Sequence, residues 1–210
     1  MKNKKQYNTL KTLLYWIVAY TWGCIITIIG SIIALTLLIT GHKPQRFGPC
    51  VCFELKKEGG WGLELGPFFI YTKGAGHYDL KCHECGHFVS QIWWGPLNPF
   101  VISFPSAIRF WLREQNTQEK KQIYAAIVSG IISVIGWIPL IIATYFEIIW
   151  LVVIFGLIVI YGIVIAYWLF RKEIPKYANN QYVPYDEFWP EGQATREGTI
   201  FMQKYYPEVK

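Results

Sequence analysis

Three long uncharged runs divide the chain, at residues 13–40, 123–146 and 148–170. Each exceeds the roughly 18 apolar residues that cross a bilayer core, so each predicts a spanning helix. Residues 41–80 between the first two are polar and rich in Gly and aromatics. Residues 51–55 alternate in part, Trp61-Gly-Leu-Glu-Leu65 and residues 68–71 are strand-like, and Gly59-Gly60 and Gly66-Pro67 punctuate them. That pattern predicts a small β-hairpin or meander. Asp79 reads as an N-cap for a helix running to about Trp94, where Gly95-Pro96 and Pro99 break it. Residues 100–112, apolar except for Arg109 and interrupted by Pro105, predict a re-entrant or interfacial helix, or the second half of a broken crossing. Pro190 predicts a final helix from Trp189 to about Tyr205. The expected fold is mostly α: an integral-membrane helical bundle of three to four spans, with a small β element before the helix of segment 80–112. A basic tail (1–12) precedes it and a polar tail (171–210) follows.

Composition supports the membrane reading. The chain of 210 residues is 53% hydrophobic, 18% aromatic and only 16% charged, against about 25% charged in a soluble domain. The first run follows Lys2, Lys4, Lys5 and Lys11 but is far longer than a signal peptide's apolar core, and no A-x-A site follows, so it reads as an uncleaved anchor. The net charge of +6 fits membrane orientation and anionic headgroups. No basic stripe interleaved with aromatics points to nucleic acid. The expected partner is the lipid bilayer, with a peptide or membrane protein as substrate, and the expected location is a bacterial cytoplasmic membrane.

Charge also limits topology. With the N-terminus inside and only three crossings, 16 of the 20 Lys and Arg lie outside, against the positive-inside rule. Two arrangements survive. Either the N-terminus is outside, or residues near 86–110 cross as a fourth, broken span; the N-terminal lysines favour the second. Both put residues 113–122 and the C-terminal tail on the cytoplasmic side.

The chemistry is concentrated in His83-Glu84-Cys85-Gly86-His87, an H-E-x-x-H string. On a helix, the i and i+4 spacing puts both imidazoles on one face, as two nitrogen ligands of a zinc ion require. Glu84 falls beside them, placed for general-base work on water. A catalytic zinc needs a third protein ligand, and Glu191 in Glu191-Gly-Gln-Ala194 is the candidate. His77, Asp186 and Glu187 are weaker alternatives.

Residues 62–106 resemble uncharacterised bacterial integral-membrane zincin-like proteins. The resemblance rests on Gly66-Pro-Phe, His83-Glu-Cys-Gly-His87, Gly95-Pro-Leu and Pro105-Ser106. Phe188-Trp-Pro-Glu191-Gly-Gln-Ala194 with Gly198 resembles their E-x-x-A-D-x-L-G segment, the third-ligand helix of gluzincins. The resemblance implies a zinc metallopeptidase or related hydrolase, with His83, His87 and Glu191 as ligands and Glu84 as catalytic base. Thr195 stands where an Asp that supports a ligating His is usual, and Glu197 where a Leu is usual. These departures leave open an inactive zincin-like scaffold that binds zinc without turnover.

The same region has a rival reading. Cys82-His-Glu-Cys85-Gly86 also reads as a zinc knuckle, and Cys50-Val-Cys52 could complete a structural four-cysteine zinc ribbon in a non-enzymatic membrane protein. The two readings exclude each other, because a knuckle turn at 82–85 would break the helix that aligns His83 with His87.

Overall fold

A computed structural model of the chain describes residues 9–178, 184–207 and 209; Lys2, Lys4 and Lys5 of the expected basic tail lie outside the described residues. The protein is mostly helical with one small sheet. It divides into two compact units: residues up to 104 together with those from 185 onward, and residues 105–184.

The first unit contains α1 (Thr9–Thr21), α2 (Cys24–Ile39), four strands, α3 (Tyr78–Trp94) and, returning from the C-terminal tail, α7 (Glu191–Tyr205). The strands are β1 (Pro44–Phe47), β2 (Cys50–Glu58), β3 (Gly62–Leu65) and β4 (Phe68–Lys73), in the order β1-β2-β4-β3. Two antiparallel hairpins, turning at Gly48 and Gly66 with φ of +55° and +77°, are joined by parallel pairing of β2 with β4. The three segments read as strand-like from sequence are β2, β3 and β4, and β1 is the strand added to them. β1 escaped because its sequence, Pro-Gln-Arg-Phe, buries only Phe47 and so shows no alternation. An aromatic core of Phe47, Phe69, Tyr71, Phe88, Phe201 and Tyr206 joins the sheet to α3 and α7.

Residues 13–40 do not form the single straight span that their hydropathy predicts. α1 and α2 meet at a 107° bend around Trp22-Gly23. A helix broken in apolar surroundings leaves backbone groups that need partners. Buried Gln91 of α3 supplies one: its Nε2 donates to the Gly23 carbonyl at 2.6 Å and to Thr27 Oγ1 at 2.9 Å. The Trp22 ring occupies the space where a Cβ on Gly95 would stand, 2.2 Å away, so glycine is required at the end of α3.

The second unit is built on α4 (Phe104–Arg113), α5 (Gln118–Tyr145) and α6 (Ile149–Trp168), the last continued by π-helical and 3-10 turns to Tyr177. α5 starts inside the expected polar connector because Thr117 caps it, its hydroxyl accepting from the Lys120 N–H at 3.2 Å. α5 and α6 form the expected hairpin, turning at Glu147, whose φ is 57°. Gly136 against Val159, and Gly162 against Ile132, allow close approach of the two helices. Arg109, the one charge in the 100–112 stretch, is buried in α4 with its Nε 3.8 Å from the Glu173 carboxylate. Buried Lys121 donates to the Leu112 and Arg113 carbonyls at 3.0 and 3.3 Å, closing the end of α4.

Two helical stretches among the described residues, Gln118–Tyr145 and Ile149–Tyr177, are long and apolar enough to cross a membrane. The bent α1–α2 pair makes a third only as one broken span. This is compatible with a membrane protein.

Candidate metal centre

α3 carries the H-E-x-x-H string near its middle. The helix is entered through His77 in extended conformation, with Asp79 in the first turn rather than at the cap position expected from sequence. Acidic charge there complements the helix dipole. Gly95, at φ +52°, ends it. α7 begins two residues later than the sequence predicts, with Pro190 as cap and Glu191 as its first helical residue.

The two helices cross in backbone contact. A Cβ at Gly86 would lie 1.9 Å from the Ala194 carbonyl oxygen, and one at Gly198 would lie 1.8 Å from that of Cys82. Glu191, Ala194 and Gly198 recur at helical spacing, so one face of α7 presents the carboxylate at one end and small residues behind it. Nothing larger fits between the helices. This approach delivers Glu191 to the histidines.

Nε2 of His83 and Nε2 of His87 lie 3.1 and 3.2 Å from the same Glu191 oxygen, Oε2. Ligand-type atoms of these three residues lie within 4.8 Å of one another, and they are the one such group among the described residues. Glu191 is fully buried, and the His83 and His87 side chains are 12% and 10% exposed. His77, Asp186 and Glu187 are exposed and outside the group.

Thr195 is one turn beyond Glu191, and its hydroxyl is 2.9 Å from Nδ1 of His83. Thr195 thus occupies a position from which the His83 imidazole is oriented. With Nε2 turned to a metal, Nδ1 carries the proton and donates to the hydroxyl.

Glu84 is buried on the β3 side, where its carboxylate accepts a hydrogen bond from the Glu64 backbone N–H. A Cβ on Gly62 would lie 2.5 Å from Glu84 Oε1, so glycine on this edge strand makes room for the carboxylate. Burial raises the Glu84 carboxyl above the usual range, opposed by the charges of His83 and His87. Burial likewise pushes Glu64 up to about 8, against His87 and the Gly66 N–H. Burial alone would lower His87, but the Glu191 hydrogen bond and the surrounding carboxylates push it up to about 9. Glu191 is also desolvated, yet hydrogen bonds from both imidazoles hold it far below the ordinary carboxylate range.

The donor set suits a borderline divalent cation: two imidazole nitrogens and one carboxylate oxygen, one short of the four a tetrahedral ion takes. Protein ligands number three in catalytic zinc sites and four in structural ones. The four cysteines, by contrast, do not gather as one set among the described residues, although the Cys50 and Cys85 sulfurs approach to 4.0 Å. α3 runs unbroken through Cys82 and Cys85, so no knuckle turn forms, and the Cys52 thiol donates to the Gln45 carbonyl at 3.3 Å.

Sequence reasoning did not single out Glu64 or Gln91. Glu64 lacked any signal on a four-residue strand; Gln91 continues the i, i+4 row of His83 and His87. Compared with protein-family models, curated proteins and solved structures, the chain matches none.

Proposed function

We propose that the protein is a zinc-dependent membrane metallopeptidase of the gluzincin type, embedded through a bundle of three to four spans. The observation that carries this reading is the arrival of Glu191 at two imidazoles that precede it by more than a hundred residues. His83 and His87 would hold the ion through Nε2 and Glu191 through a carboxylate oxygen. A bound zinc would supply Lewis acidity, polarising a substrate carbonyl and making water more acidic.

The protein's own residues do the rest. Glu84, fixed by the Glu64 N–H beside the ligands, takes the proton from the attacking water and passes it to the leaving amine. Its raised pKa suits a group that must hold a proton between those steps. Thr195 keeps His83 oriented, which favours a working site over an inactive scaffold. β3 is an edge strand lying along α3, and an extended peptide added to that edge would pass Glu84.

Positive-inside bias puts the α5 end bearing Lys120 and the α6 end bearing Arg171 and Lys172 in the cytoplasm. Both charge arrangements put the C-terminal tail, and with it Glu191, on the cytoplasmic side, so the site would work at the cytoplasmic interface.

The test is Glu84→Gln in zinc-loaded protein against a panel of peptides and membrane-protein substrates. Zinc content should stay at wild-type stoichiometry while hydrolysis falls by about 10²-fold or more. Undiminished hydrolysis in that variant refutes the assignment.

A further inference from the structure

Beneath the His/His/Glu group, on the other side of α3, three sulfur atoms from three elements meet. Cys85 Sγ lies 4.0 Å from Cys50 Sγ of β2 and 3.7 Å from Met202 Sδ of α7. All three residues are fully buried. Met202 is held from behind by the β1–β2 turn, where a Cβ on Gly48 would stand 2.8 Å from its sulfur. The sulfurs are thus fixed by a strand, a turn and two helices packed in backbone contact.

We propose that Cys50, Cys85 and Met202 form a second metal site, an all-sulfur pocket for a soft monovalent cation, copper(I). The spacing fits. Metal–sulfur bonds of about 2.3 Å put the sulfurs of a trigonal or tetrahedral set about 3.8–4.0 Å apart, and the two separations from Cys85, 4.0 Å to Cys50 and 3.7 Å to Met202, are close to that. The ligand types fit as well, since two thiols with a thioether select copper(I) over zinc, which prefers imidazole, carboxylate or additional thiolates. Binding releases two thiol protons and leaves one net negative charge in the core. Lys81 lies over the Tyr71 and Phe47 rings of that core, 5.0 and 6.0 Å from their centroids. The site is separate in residues and chemistry from the proposed catalytic centre and stands whether or not Glu84 proves catalytic.

The test uses the full-length, zinc-loaded protein, without oxygen, titrated with copper(I) held by bicinchoninate. The wild-type protein should withdraw one equivalent of copper and keep its zinc. X-ray absorption should show a shell of sulfur only. Cys50→Ser should weaken copper retention by 100-fold or more. Met202→Leu, which keeps the core volume, should weaken it by tenfold or more. Both variants should hold wild-type zinc, which also reports that they fold; should Cys50→Ser fail to fold, Met202→Leu decides. Failure of the wild type to withdraw copper overturns the proposal. So does equal retention by folded variants, or a nitrogen-containing shell with loss of zinc.

Discussion

The crossing of α3 and α7 makes Gly86→Ala the sharpest probe of how the site is held. The added methyl would start 1.9 Å from the Ala194 carbonyl oxygen and 2.6 Å from its carbon. Both are backbone atoms, so no rotamer relieves the clash. Reaching an ordinary contact near 3.4 Å requires α7 to retreat by about 1.5 Å. Glu191 travels with it, away from nitrogens now 3.1 and 3.2 Å from its oxygen. Metal–ligand distances tolerate only about 0.2 Å, so the shift removes the third ligand. Zinc affinity should fall by at least the 10–100-fold that follows loss of an orienting partner. Overpacking should also cost about 1–3 kcal/mol of stability. Competition with a chromophoric chelator reads the first effect, and thermal unfolding of the zinc-free protein reads the second. Gly130→Ala in α5 is the control, because nothing lies within 4 Å of its added Cβ; alanine there should be neutral or stabilising by up to about 1 kcal/mol. Gly86→Ala protein that binds zinc like wild type would refute the claim that backbone contact sets the site.

Thr195→Ala removes the His83 partner and should lower zinc affinity by about tenfold with little change in unfolding temperature, measured by the same competition. Gln91→Leu removes the two hydrogen bonds from Nε2 to the Gly23 carbonyl and Thr27 Oγ1, leaving the carbonyl to its Thr27 donors, and should cost about 1–3 kcal/mol, read by denaturant unfolding in detergent, with zinc stoichiometry retained. Cys52→Ser with Cys82→Ser should leave zinc content at wild type; metal loss in that pair would revive the four-cysteine ribbon. Removing zinc by chelation should lower the melting temperature by a margin that grows with the logarithm of added zinc when the ion is restored.

The long apolar helices were legible because their signal is local: α5 and α6 need only composition and length, and the turn at Glu147 sits where the charge interrupts the run. The 13–40 stretch has the same composition, yet it bends. At the bend the Gly23 carbonyl accepts from the Thr27 N–H and hydroxyl and, in addition, from the amide of Gln91, which is distant in sequence. No periodicity within residues 13–40 reports that partner. Three of the four strands were legible, but not their pairing, since β2 skips β3 to pair in parallel with β4, and β1 is nearly all exposed. Within the candidate site, spacing sufficed for His83 and His87, and the Glu191-x-x-Ala194 segment suggested its own place. The orienting hydroxyl and the Glu64 backbone donor depend on which elements pack against α3, which the linear pattern does not state.

Thr195 shows how these layers depend on one another. An aspartate carries its carboxylate oxygens one bond further from the backbone than threonine carries its hydroxyl, and it can therefore reach a ligating imidazole across a wider helix crossing. Here glycines at 86 and 198 bring the two backbones together, and at that separation the shorter side chain reaches His83 Nδ1 at 2.9 Å. The length of the Thr195 side chain is thus matched to the closeness of these two helices. Close packing also limits what can be restored: Thr195→Asp would press a longer, charged group into a crossing that has no slack. In this fold the better conservative test of the orienting role is Thr195→Ser. Serine keeps the hydroxyl at the same distance along the side chain, so it should preserve zinc affinity within a few-fold where alanine does not. Equal loss in both variants would assign Thr195 to packing through its methyl group.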